Sequence, residues 1–218
     1  MKRIEPFPRQ EVFYLTLFGI AFAFIESAVI VYLRTIFYPG GFHFPIQMIP
    51  GTVGMTEVAR EAATIVVLAS VAHLSGKEFH DRFGWFLYLF AVWDIFYYIW
   101  LYVILGWPPT LLTWDILFLI PVPWIGPVLA PLLVSLAMAV FGIILVAVTR
   151  RGKTLRFYWW EWGLEILAAL LIILSFSIDW KLATMQGPPE HFRWGLFLVG
   201  LFLGVIVATQ ALIRKHSL

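Results

Sequence analysis

Long apolar runs fill this chain, set apart by short polar or proline- and glycine-rich breaks. Six of the runs, at residues 12–33, 53–75, 83–105, 128–148, 163–178 and 192–213, approach or exceed the roughly 20 helical residues that cross a hydrocarbon layer of about 30 Å. Pro39, Gly40, Gly41, Pro45, Pro50 and Gly51 break the first run from the second. Gly76 and Lys77 close the second, and the Gly106-Trp107-Pro108-Pro109 stretch stops the third. Residues 110–127 follow another pattern: an apolar segment carrying Asp115 meets Pro121, Pro123, Pro127 and Pro131, through which no regular helix runs. They read as a short broken, interfacial or re-entrant piece, which at membrane depth must be covered by protein or line a wet cavity.

Composition agrees with that pattern. The 218 residues are 61% hydrophobic and 13% charged with a mean hydropathy of +0.89, where soluble domains are about 45–50% apolar and about 25% charged. The expectation is an all-α, polytopic integral membrane helix bundle forming a single transmembrane domain over residues 1–218. Ala21-Phe22-Ala23 resembles a signal-peptide cleavage site, but the first run is read as a retained span. Without cysteine there is no disulfide or thiolate metal site, and a net charge of +2 with no long basic run gives no footprint for nucleic acid.

Eleven of the fifteen basic residues fall at one set of run ends: Lys2, Arg3, Arg9, Lys77, Arg82, Arg150, Arg151, Lys153, Arg156, Arg214 and Lys215. Arg34, Arg60, Lys181 and Arg193 take the other side. The positive-inside rule then makes both termini cytoplasmic, in a plasma or inner membrane. Gly200, Gly204 and Ala208 form a small-residue stripe for close helix packing, within the bundle in preference to a homo-oligomer.

Orientation turns positions into depths. At 1.5 Å per residue, Glu26 lies about 21 Å, Glu61 about 22 Å and Asp94 about 16 Å above the cytoplasmic surface, with Arg60 at about 24 Å and Glu57 at about 28 Å. Glu57, Arg60, Glu61 and Thr64 share one helix face. Glu26, Glu57, Arg60, Glu61 and Asp94 are therefore the expected polar site, and Arg34, Tyr97, Tyr98 and Asp115 the possible additions. Such charges are costly in lipid, roughly 2.5–3.5 kcal/mol each, so they should face the interior and one another. Arg60 bridging its neighbours would explain any one pair as structural glue. It does not explain the group, because the four acids exceed Arg60 by three charges and still exceed Arg60 and Arg34 together by two. A site of that kind must carry protons or a cation.

No two histidines are placed to clamp a haem, and zinc-type, nucleotide and nucleophile motifs are missing, so no cofactor is expected. Were a metal held, Glu26, Glu61 and Asp94 would suit a hard cation. Three functions fit: binding or transport of a proton, hard cation or small polar solute; a non-catalytic subunit or scaffold of a larger membrane complex; and an enzyme acting on a lipid, quinone or isoprenoid at the outer leaflet. The first is preferred, and the chain is expected not to be an enzyme.

Overall fold

The computed structural model describes residues 7–47, 49–152 and 157–214. Lys2, Arg3, Lys153, Arg156 and Lys215, five of the basic residues that set the expected orientation, lie outside that range. Of the described residues 73% are helical, and the elements run in the order α1 (Arg9–Phe37), α2 (Gly51–Ser75), α3 (Phe79–Leu105), β1 (Trp114–Phe118), β2 (Trp124–Pro127), α4 (Leu129–Arg150), α5 (Trp159–Ser177), α6 (Trp180–Met185) and α7 (Trp194–Ile213). Six helical segments, with α5 and α6 counted together, are long and apolar enough to cross a membrane. The chain is a multi-pass membrane protein.

Helix ends follow local chemistry and run beyond the hydropathy limits. Pro8, which has no N–H to leave unpaired, precedes the first turn of α1, and the Tyr38 N–H bonds Arg34 O at 2.8 Å past its last turn. At 29 residues α1 is about 43 Å long. Gly106 ends α3 at a φ of 65°, a left-handed cap that glycine adopts without strain, and its N–H bonds Tyr102 O at 2.9 Å. Glu161 Oε2 accepts the Tyr158 N–H at 2.7 Å and so lets α5 begin at Trp159, before the hydropathy boundary.

Within an otherwise all-α fold the broken segment at 110–127 holds a β-hairpin, a strand pair that was not expected. β1 and β2 pair antiparallel, Asp115 opposite Gly126 and Ile116 opposite Ile125, with a register shift between Ile116 and Phe118. The prolines explain the choice: they forbid a helix, while β2 places Pro127 at its end, where its missing N–H does not interrupt the ladder. A two-stranded hairpin is marginal alone. Here Gly126 lies so close to Phe176 of α5 and to Phe192 that a Cβ would meet their rings at 2.9 and 3.2 Å.

α3 is the axis of the bundle, packed by α1, α2 and α4, while α5 packs chiefly on α7. Trp85, Leu89 and Trp93 of α3 join Leu15 and Ala23 of α1, Leu68 and Ala72 of α2 and Val146 of α4 in the main core. α3 and α4 touch backbone to backbone: a Cβ on Gly142 would lie 2.6 Å from Gly84 O, and one on Gly84 2.9 Å from Gly142 O. The stripe on α7 packs within the bundle, Gly200 sitting against the Ala168 carbonyl and Ile172 of α5. At the end of the bundle where α2 meets α3, Arg150 of α4 reaches Asp81 at 3.0 Å and donates to Ser75 O at 3.2 Å, joining three helices through a buried ion pair. Exposed Leu17, Leu74, Val140, Ile166 and Phe202 clothe the outside, as an apolar solvent permits.

Replacing Gly142 by Leu should force α3 from α4 and cost about 1–3 kcal/mol or more, the usual penalty of overpacking. Gly163→Leu, where a side chain meets open space, is the matched control. Thermal unfolding in detergent should show a lower midpoint for the first variant alone; equal midpoints would contradict the close approach.

Candidate functional site

Five residues of α2 turn toward its neighbours at helical spacing: Glu57, Glu61, Thr64, Leu68 and Ala72 are all buried. The first three begin a polar stripe, and the last two continue it as ordinary core. Arg60 lies beside that stripe and chelates Glu57, with Nε to Oε2 at 2.9 Å and Nη2 to Oε1 at 2.5 Å. Its Nη1 pairs with Glu26 of α1. Thr64 donates to Glu26 Oε1 at 2.7 Å, so two groups of α2 hold one carboxylate of α1. Ser27, next along α1, bonds the Tyr97 carbonyl at 3.1 Å and ties α1 to α3 at the same level.

The remaining acids have other partners. Glu61 Oε2 accepts the Leu119 N–H at 2.8 Å, from the turn of the hairpin. Asp94 of α3 accepts from the Ser135 hydroxyl of α4, also at 2.8 Å. Asp115 of β1 pairs with Arg34 at 2.8 Å, and the guanidinium lies 3.8 Å from the centre of the Trp107 ring and 4.6 Å from that of Phe42. Arg34 Nη1 is buried without a hydrogen-bond partner.

Two cavities join these groups. A small one of about 40 Å³ is lined by Glu26, Arg60, Glu61, Asp94, Tyr97 and Tyr98, among others. That is room for a few waters, at about 10–15 Å³ each. A larger chamber of about 670 Å³ is bordered by Arg34, Glu57, Glu61, Tyr97 and Asp115 at its polar end and by aliphatic residues from α1, α2 and the loop between them. The cavities share Ile30, Glu61, Tyr97 and Ile116 as walls. All nine residues singled out from the sequence thus border one cavity or the other.

Counting the pairs sharpens the charge problem. Glu26, Glu57, Glu61 and Asp115 are buried, and Asp94, Arg34 and Arg60 are half-buried beside them, an excess of three acids if all were ionised. Among the described residues, no three His, Cys, Asp or Glu side chains converge to hold a metal ion. Glu26, Glu61 and Asp94 border one space without forming a ligand shell. Outside the spanning helices, burial pushes Asp115 up to about 6, outweighing the opposing pull of Arg34. Burial also raises the Tyr38 phenol, whose oxygen accepts the Gln47 N–H at 2.8 Å.

Several contributors had no sequence signal. Ser135 reads as a packing serine until α4 is seen beside Asp94, and nothing marks the Leu119 amide as the partner of Glu61. Glu165, one and a half turns into α5, was visible as an acid in an apolar run; its Oε1 is buried without a partner, and Gly204 of α7 leaves room beside its Oε2. Compared with known proteins, the chain matches no family, no curated protein and no solved structure.

Asp115 titrates higher in the folded protein than its ordinary value of 3.8, so the folded state holds a proton there that the unfolded chain releases. Its contribution is complete below 3.8 and is lost as pH rises through about 6. The stability difference between the wild type and Asp115→Asn, from unfolding in detergent at a series of pH values, should shrink across that window. A difference that grows with pH would contradict the assignment.

Proposed function

We propose that this membrane protein binds a small solute in the 670 Å³ chamber and that the surplus carboxyls behind it carry the protons exchanged with that solute. The observation that carries this reading is the shared wall: Glu61 borders both the chamber and the inner polar cavity. A group so placed meets a ligand on one side and a proton-holding cluster on the other.

The roles differ by partner. Glu26 and Glu57 share the Arg60 guanidinium, the counter-charge that favours their ionised forms, and so fix α1 to α2. Glu61 and Asp94 have only neutral hydrogen-bond partners among the described residues. They are the carriers of protons, because an ionised carboxylate at such depth without an ion pair of its own is disfavoured. Tyr97, on the wall of both cavities, offers a hydroxyl on the path between them. Under the positive-inside reading the chamber opens toward the extracytoplasmic side, and the protein resides in a plasma or inner membrane. The volume is that of an organic ligand site, about 300–1,000 Å³, which favours a solute over a bare hard cation.

The apolar walls of the chamber also support a second reading, an enzyme that acts on a lipid or isoprenoid with Glu61 and Asp94 as acid and base. Chemical turnover of a bound lipid would distinguish it.

Hydrophobic carbodiimides attack protonated carboxyls in apolar surroundings. Dicyclohexylcarbodiimide applied to the protein in nanodiscs should label Glu61 or Asp94, read by peptide mass spectrometry, and spare Glu26 and Glu57. Labelling confined to Glu26 and Glu57, or to none of the four, would overturn the proposal.

A further inference from the structure

The chamber's lining defines what it accepts. Its aliphatic walls include Ile30, Leu33, Ile46, Ile49, Met55 and Val58. They suit an apolar body and exclude a hydrated inorganic ion, which needs a polar wall in place of its water. Tyr38, Phe42, Tyr97 and Trp180 supply aromatic surface. The chamber's arginine is already matched: Arg34 is paired with Asp115 and covered by Phe42 and Trp107. An anionic ligand would find no uncompensated positive charge there, only the one unpartnered N–H group of the paired Arg34, and would meet Glu57, Glu61 and Asp115.

Glu61 is the unmatched group. It is 8% exposed, its hydrogen-bond partner is the Leu119 backbone amide, and Arg60 spends its hydrogen bonds on Glu57 and its ion pair on Glu26. Asp115 adds a second carboxylate at the same end, paired with Arg34 and with the Tyr98 hydroxyl beside it. An apolar, aromatic chamber with a carboxyl that borders Arg60 but makes no ion pair of its own is complementary to a cation whose charge is spread over a hydrophobic body.

We infer that the chamber binds an amphipathic organic cation, an ammonium or phosphonium bearing apolar groups, with Glu61 as its counter-ion. This rests on the reading that the site exchanges protons with a solute, and it names the class of solute. The exchange balances: the cation enters, the O–H bond of the Glu61 carboxyl breaks, its proton leaves to solvent, and the carboxylate left behind pairs with the cation. The groups facing Glu61 from every side enter the balance: Glu57 and Arg60 on α2, Glu26 and Arg34 on α1, Asp94, Tyr97 and Tyr98 on α3, and Asp115 on the hairpin. Of these the two arginines are engaged by Glu26, Glu57 and Asp115, which leaves Glu61 and Asp94 to compete for protons. Since proton and cation compete, apparent affinity should rise with pH by up to about tenfold per unit while Glu61 is protonated.

Tetraphenylphosphonium binding to the full chain in nanodiscs, followed by calorimetry, is the test, with triphenylphosphine oxide as the neutral probe. Expected are binding that tightens with pH, release of about one proton per cation in weakly buffered solution, and at least a tenfold loss in Glu61→Gln with partial recovery in Glu61→Asp. Unchanged thermal unfolding of Glu61→Gln assigns that loss to the counter-ion; should that variant unfold early, the pH dependence and proton release of the wild type decide in its place. Equal binding of the neutral probe and the cation, or cation binding without proton release, overturns the inference. No cation binding alongside carbodiimide labelling of Glu61 or Asp94 overturns it while the proton-bearing site stands; no binding and no labelling overturns both.

Discussion

Arg60 decides how the upper part of the bundle is held. In an apolar medium a carboxylate needs a partner, and one guanidinium serves Glu57 from its own helix and Glu26 from α1. With Thr64 as a further donor to Glu26, α1 and α2 are locked in register at that level. Everything on the far side of Arg60 inherits the consequence. Because its hydrogen-bonding edge is spent, Glu61, one residue along, has to find a neutral donor, and the hairpin amide of Leu119 is what reaches it.

The hairpin therefore has two tasks. Its prolines stop a helix from forming, and its exposed backbone groups must be satisfied inside a membrane protein. Val128 and Leu129 close onto the carbonyls of Thr113 and Leu111, Leu119 donates to Glu61, and Asp115 captures Arg34. The same contacts that satisfy the strand pair cap the polar cluster and form one wall of the chamber. A straight seventh helix in that place would have satisfied its own backbone and left Glu61 and Arg34 without these partners. Beneath, the Gly84–Gly142 contact holds α4 close enough for Ser135 to reach Asp94.

The spans were legible because hydrophobic length is a local property, and turns counted along them agree with the meeting of Glu26 with Arg60 and Thr64. What the sequence could not show was the conformation of residues 110–127, since proline says where a helix fails and not what replaces it. The alternation of Trp114, Ile116 and Phe118 with Asp115 was a strand signal overshadowed by the proline run. Pairings between distant residues, such as Arg34 with Asp115 and Asp94 with Ser135, depend on which helices become neighbours, and no spacing along the chain encodes that. Gly142 carried no mark either, because an isolated glycine in an apolar run looks the same whether it faces lipid or another backbone.

The proposed function requires that the surplus acids be neutral because they hold protons. Infrared spectroscopy of the protein in lipid reads this directly, since a carboxylic acid carbonyl absorbs apart from a carboxylate. The account predicts protonated-carboxyl bands at neutral pH, one lost in Glu61→Gln and another in Asp94→Asn, with neither lost in Glu57→Gln. A spectrum with carboxylate bands alone would contradict it.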